Sequence, residues 1–178
     1  MSVTFTASEV GDRLARSHPE RGAAFYTRQV RGWAQAGIFP SGQERIGDGD
    51  NAAIRYTEVD LLAARVFTHL GAIGIPWSRL GDVADTFWNL SADTAKALPK
   101  ANRSRGGIGF VVEHLKAGEP GWRLRLRLDE NGEVVAGCWC RGDDTTHPAW
   151  RGAATLTIEV SRIAVGLFDR ITADGEGA

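Results

Sequence analysis

The stretch YTRQVRGWAQAGIFP, residues 26–40, decides how the chain is read. Val30, Trp33 and Ala34 recur at helical spacing and predict the inner stripe of a helix over residues 26–36. Gly37 supplies the stop, and Ile38-Phe39-Pro40 leaves it extended. Arg28 and Arg31 share the opposite face, with Gln35 one turn further on and Gln29 at the side. Arg offers a fork of donors that matches a guanine edge, and Gln pairs with adenine, so this face has the chemistry to read a DNA major groove. A plain solvated helix shows the same kind of face, and that alternative stands beside the first.

Working outward, Thr6 or Ser8 is placed to cap a helix running to about Ser17, with Glu9 in its first turn and Val10 and Leu14 inward. Ser17–Ala24 holds a Pro and a Gly and reads as a turn. Downstream, Glu44–Ile46 and Ala53–Tyr56 flank Gly47-Asp48-Gly49-Asp50-Asn51, the pattern of a hairpin with a turn-rich tip. Thr57 reads as the cap of a helix that buries Leu61, Leu62, Val66, Phe67 and Leu70. Gly71 and Gly74 interrupt it, and Pro76 opens another helix with Leu80, Val83, Ala84 and Phe87 inward.

Past about Ser91 the character changes. Ala92–Ala101 reads as a short helix broken by Pro99, and Ile108–Lys116 as a second one. WRLRLRL, residues 122–128, alternates strictly and predicts a strand, with Asp129–Gly132 as a hairpin turn and Glu133–Cys140 as its partner. Thr155–Val160 reads as a third strand and Ser161 as the cap of a last helix to Ile171. Leu124, Leu126 and Leu128 are expected inward and Arg123, Arg125 and Arg127 on the wet face, where they would alternatively meet an anion.

The 178 residues are 43% hydrophobic and 24% charged, as in ordinary soluble globular proteins. A net charge of −1 excludes a protein that coats nucleic acid by bulk attraction. Cations are nevertheless clustered: five Arg (13, 16, 21, 28, 31) against Glu20 alone between residues 13 and 31, and Lys96, Lys100, Arg103 and Arg105 with no acid between 95 and 105. No apolar run approaches the length of about 18 residues that a bilayer requires, and acids stand where a signal peptide would have its apolar core, so a cytoplasmic, nucleoid-associated location is expected.

The ordered series of motifs resembles the MerR family of transcriptional regulators over residues 4–90. The capped opening Phe5-Thr6-Ala7-Ser8-Glu9-Val10, the Arg28–Trp33 run RQVRGW followed by Gly37-Ile38-Phe39-Pro40, the phrase RYTEVDL at 55–61 and IGIPWSRLGDV at 73–83 carry the likeness. It implies a mainly α, winged helix-turn-helix DNA-binding domain over residues 1–90. A basic linker with a short helix (91–105), a small α+β regulatory or oligomerisation domain with an antiparallel three-stranded sheet (106–172) and a disordered tail (173–178) follow in the sequence reading. The resemblance implies that Arg28 and Arg31 contact DNA and that Arg55 and Tyr56 hold a phosphate. Arg45 on the other wing strand is a weaker candidate, and Arg13 and Arg16 fit phosphate contact or plain surface equally. The chain departs from the family in its longer turn before the second helix, in Asp48 and Asp50 at the wing tip, and in Pro99, Gly106 and Gly107, which break the long dimerisation helix of such regulators.

The function expected is sequence-specific regulation of transcription, with double-stranded DNA, a second copy of the chain and RNA polymerase or another regulatory protein as partners, and no cofactor or membrane. The alternatives are an accessory factor for recombination or segregation, and a winged-helix protein-interaction module that no longer binds DNA. Cys138 and Cys140 share one face of a strand near Asp143, Asp144 and His147, but two thiols and a His are one ligand short of a closed zinc site. Buried small residues are the alternative for these Cys, and no metal is expected. No phosphate-loop, nucleophile-elbow or zincin motif is present, and His18, His69, His114 and His147 form no ligand spacing, so no enzyme is expected.

Overall fold

A computed structural model of the chain describes residues 3–41, 44–46, 53–97, 107–142 and 154–168. Its first half is helical around a small antiparallel sheet. The short strand β1 (Thr4–Phe5) leads into α1 (Ala7–Ser17), a 3-10 turn at Pro19–Arg21 and α2 (Ala23–Gln35). Strands β2 (Glu44–Ile46) and β3 (Ala53–Thr57) follow, with β3 central between β1 and β2, and then α3 (Glu58–Ala72). The pairing of Thr4 with Thr57 and Phe5 with Tyr56 has no signal in a two-residue strand, and the sequence reading missed it.

Capping fixes where these helices begin. Thr6 accepts from Glu9 N while the Glu9 carboxylate accepts from Thr6 N, a reciprocal box that starts α1. Thr57 and Asp60 repeat it at α3. The Asp60 carboxylate is buried and also accepts from the amide and hydroxyl of Ser41, so one side chain both starts α3 and anchors the chain leaving α2. Asp60→Ala should therefore lower stability by about 1–2 kcal/mol, since the cap of α3 disappears together with the anchor on Ser41. The check is a lower urea midpoint at unchanged slope. At the crossing of α1 and α2 the helices nearly touch: a Cβ on Gly11 would stand 2.8 Å from Thr27 N and 3.0 Å from Ala23 O.

Beyond α3, a 3-10 turn at Trp77–Arg79 opens the short α4 (Leu80–Asp85), and α5 (Ala92–Ala97) and α6 (Gly107–Lys116) follow. Pro76 opens a helix as read, but with a 3-10 turn first. The α+β part holds the antiparallel strands β4 (Trp122–Leu128), β5 (Val134–Arg141) and β6 (Ala154–Glu159), with β4 in the centre. Leu124 and Leu126 are buried and Leu128 half-buried, which fits the alternation, while Arg123, Arg125 and Arg127 lie half-buried on the outer face. Of the helix read from Ser161 to Ile171, the described residues form α7 (Val160–Ile163) and irregular turns through Phe168, with Gly166 at φ 71°; residues 169–171 lie outside the described residues.

The two expected units share a single core. Buried apolar residues from Phe5 to Leu167 form one cluster. A chain of aromatic rings crosses it, Trp33 to Phe67 at 5.4 Å, Phe67 stacked on Phe87 at 5.6 Å, and Phe87 to Trp139 at 5.5 Å. Polar links reinforce the join: Trp139 Nε1 donates to Phe87 O at 2.7 Å, and Lys116 pairs with Glu58 at 2.6 Å. Among the described residues, no helix is long and apolar enough to cross a membrane.

Candidate nucleic-acid interface

Helix α2 is 13 residues long and divides cleanly by face. Tyr26, Val30, Trp33 and Ala34 are buried against the core. Arg28, Arg31 and Gln35 are exposed. At 100° per residue these three fall within about 60° of one another around the axis, opposite the buried stripe. No acidic residue lies on α2, so nothing on the helix itself neutralises that row.

The surroundings add less than the sequence reading expected. Arg16 is exposed in the last turn of α1, where its charge complements the helix dipole. Arg55 on β3 is half-buried, with Nε enclosed, and its charge helps lower the pKa of Glu9, whose main cause is the hydrogen bond from Thr6 N. Gln29 is half-buried at the rim of a cavity of about 330 Å³ that His18, Arg21 and Tyr26 also line. Arg45 takes its place in β2 opposite Ile54.

Two candidates must be withdrawn from the surface. Arg13 is buried, and its Nη1 donates to Leu167 O at 2.7 Å while its guanidinium lies 4.9 Å from the Phe5 ring centre. It fastens α1 to the end of the described chain rather than meeting phosphate. Tyr56 is 1% exposed and packs edge-on against Phe39 at 5.3 Å, and burial pushes its phenol pKa up. Neither change is visible in sequence, because an Arg or Tyr of suitable spacing reads the same whether the third dimension covers it or not.

Other side chains enter only with the structure. Arg65 of α3 is fully buried, with Nη2 donating to Ser17 Oγ and Nε and Nη1 without a partner among the described residues. Desolvation lowers its pKa. Its position in an apolar stretch gave no hint of a covered charge. In the α+β part, His114 Nδ1 lies 2.7 Å from Glu119 Oε2, and Arg141 pairs with the same carboxylate at 2.9 Å. Glu119 also lines a cavity of about 330 Å³ with Ser161, whose Oγ accepts from Trp122 N at 2.8 Å.

Cys138 and Cys140 are buried on the outer face of the sheet, across from Arg125 and Arg123. No group of three or more His, Cys, Asp or Glu able to hold a metal occurs among the described residues, and Asp143, Asp144 and His147 lie outside them, as do Asp48 and Asp50 of the wing tip. Trp33 is core as read, and Trp77, though 46% exposed, stacks on it with centroids 5.8 Å apart, while Trp88 is 51% exposed.

The chain matches no protein-family model. No curated protein matches it either.

Proposed function

We propose that the chain is a sequence-specific DNA-binding regulator of transcription, a winged helix-turn-helix protein of MerR type over residues 4–90, that reads the major groove with α2. The observation that carries this is the row Arg28, Arg31 and Gln35, exposed together on an acid-free helix whose opposite face is fixed in the core. A base-reading helix needs both properties, since donors must be free and the backbone behind them must not move. The order of elements supports it: two helices joined through a 3-10 turn, longer than the family's, then an antiparallel β2–β3 pair and α3. Arg16, exposed on α1, and Arg55, half-buried on β3, are the phosphate contacts of this reading, which position the protein without selecting sequence. A homodimer on paired half-sites, with RNA polymerase or another regulatory protein as a further partner, completes the proposal.

The test is selection of bound duplexes from a random library at low and moderate salt. Enrichment of a defined motif, with an affinity that falls steeply as salt rises, is the expected result. Failure to enrich any motif at low salt would sink it. The second reading, a winged module that binds protein instead, is favoured by the withdrawal of Arg13 and Tyr56 into the core, which leaves fewer groups for phosphate. It predicts no salt-dependent affinity for duplex.

A further inference from the structure

Trp77 sits at the start of the 3-10 turn before α4 and is 46% exposed. Its ring stacks on Trp33, with centroids 5.8 Å apart and planes 27° apart. The benzo edge then crosses α2 at Gly32, where an added Cβ would stand 2.9 Å from Cη2 and 3.4 Å from Cζ2. Gly32 lies one turn after Arg28 and about 40° around the axis from it, on the solvent side of the helix. The indole thus occupies the place that a side chain of α2 would take at Gly32, next to the row, and the residue as a whole is 46% exposed. The row itself offers only guanidinium and amide groups, and Trp77 adds a large, partly exposed apolar surface next to it.

A major groove presents one apolar feature to such a surface, the 5-methyl group of thymine. We infer that Trp77 is a specificity-determining residue of this interface, its ring edge packing on the methyl of a thymine beside the bases met by Arg28 and Gln35. The inference rests on α2 reading the major groove. Its stacking on Trp33 and its approach over Gly32 hold the ring in one position, so the ring need not be ordered on binding.

The experiment uses the enriched duplex with each thymidine replaced in turn by deoxyuridine, which lacks only the methyl. Affinity is measured for the full chain and for Trp77→Ala and Trp77→Leu; Leu keeps an apolar cover on Trp33 but is too short to cross Gly32. Deoxyuridine at one position should weaken the unaltered chain about fourfold, the value of one buried methyl group. Neither variant should respond to that replacement, a coupling that packing against Trp33 alone does not produce. Indifference of the unaltered chain to deoxyuridine everywhere, or equal sensitivity in the variants, overturns the inference while leaving the reading by α2 intact. If no duplex is enriched at all, the reading by α2 fails and takes this inference with it.

Discussion

Alanine at both Arg28 and Arg31 is expected to abolish motif enrichment while leaving the folded chain unchanged. Each bidentate Arg–guanine pair discriminates by about 1–3 kcal/mol, so two together amount to a drop of roughly 30-fold to 10⁴-fold in specific affinity. Both side chains are exposed, and neither makes an ion pair among the described residues, so their removal should leave the thermal midpoint within the small range of surface substitutions. The comparison with Arg16→Ala separates two roles. Removing a phosphate-neutralising guanidinium at Arg16 should weaken all duplexes alike and flatten the salt slope by about one. Removing a base-reading donor at Arg28 or Arg31 should instead relax the motif at a defined position. If the double variant enriches the same motif as the unaltered chain, α2 does not read bases, and the row is a solvated face.

How far the sequence carries depends on whether a feature is local. Thr57 as the cap of α3 was legible and Thr6 was one of two candidates for α1, because a cap is an interaction across three residues; the reciprocal bonds of Glu9 and Asp60 came with the structure. The β4–β5 hairpin was legible for the same reason, from strict alternation and the Asn131-Gly132 turn, with Gly132 at φ 76°; the register shift between Arg127 and Leu128 was not. Residues remote in sequence decide the rest. Arg13, spaced like a surface cation, is captured by Leu167 O, 154 positions away, and the enclosed Arg65 donates to Ser17, 48 positions away. Tyr56 is legible as a β3 residue but not as a buried one, since that follows from Phe39 closing over it. Trp77 is the converse, an aromatic that packs on one face and is open on the other. The exposed donors of α2 were the part of the site within reach, because the 3.6-residue period alone places Arg28, Arg31 and Gln35 opposite Val30 and Trp33.

Trp139→Ala should destabilise the helical half as much as the sheet on which the residue lies. Trp139 is 0% exposed, and its ring meets Phe87 at the end of the aromatic chain from Trp33. Its backbone amide donates to Asn89 O at 2.9 Å, and its carbonyl accepts from Ser91 N at 2.8 Å, so β5 is bonded along the segment leaving α4. Truncating a buried Trp costs about 3–5 kcal/mol, and the Phe87 carbonyl is deprived of its indole donor as well. That is a large part of the roughly 5–15 kcal/mol that holds a domain folded. Amide hydrogen exchange reads the result by element: protection in α3 and in β4 should fall together and by the same factor, because opening either half exposes the shared core. Trp139→Phe keeps a ring against Phe87 but removes the N–H donor and part of the buried indole, so its cost should be about 2–3 kcal/mol, again equal in both halves. A drop confined to β4, β5 and β6 with α3 unchanged would mean that the helical half is stable alone, and that the join at Trp139 holds together two units that fold separately.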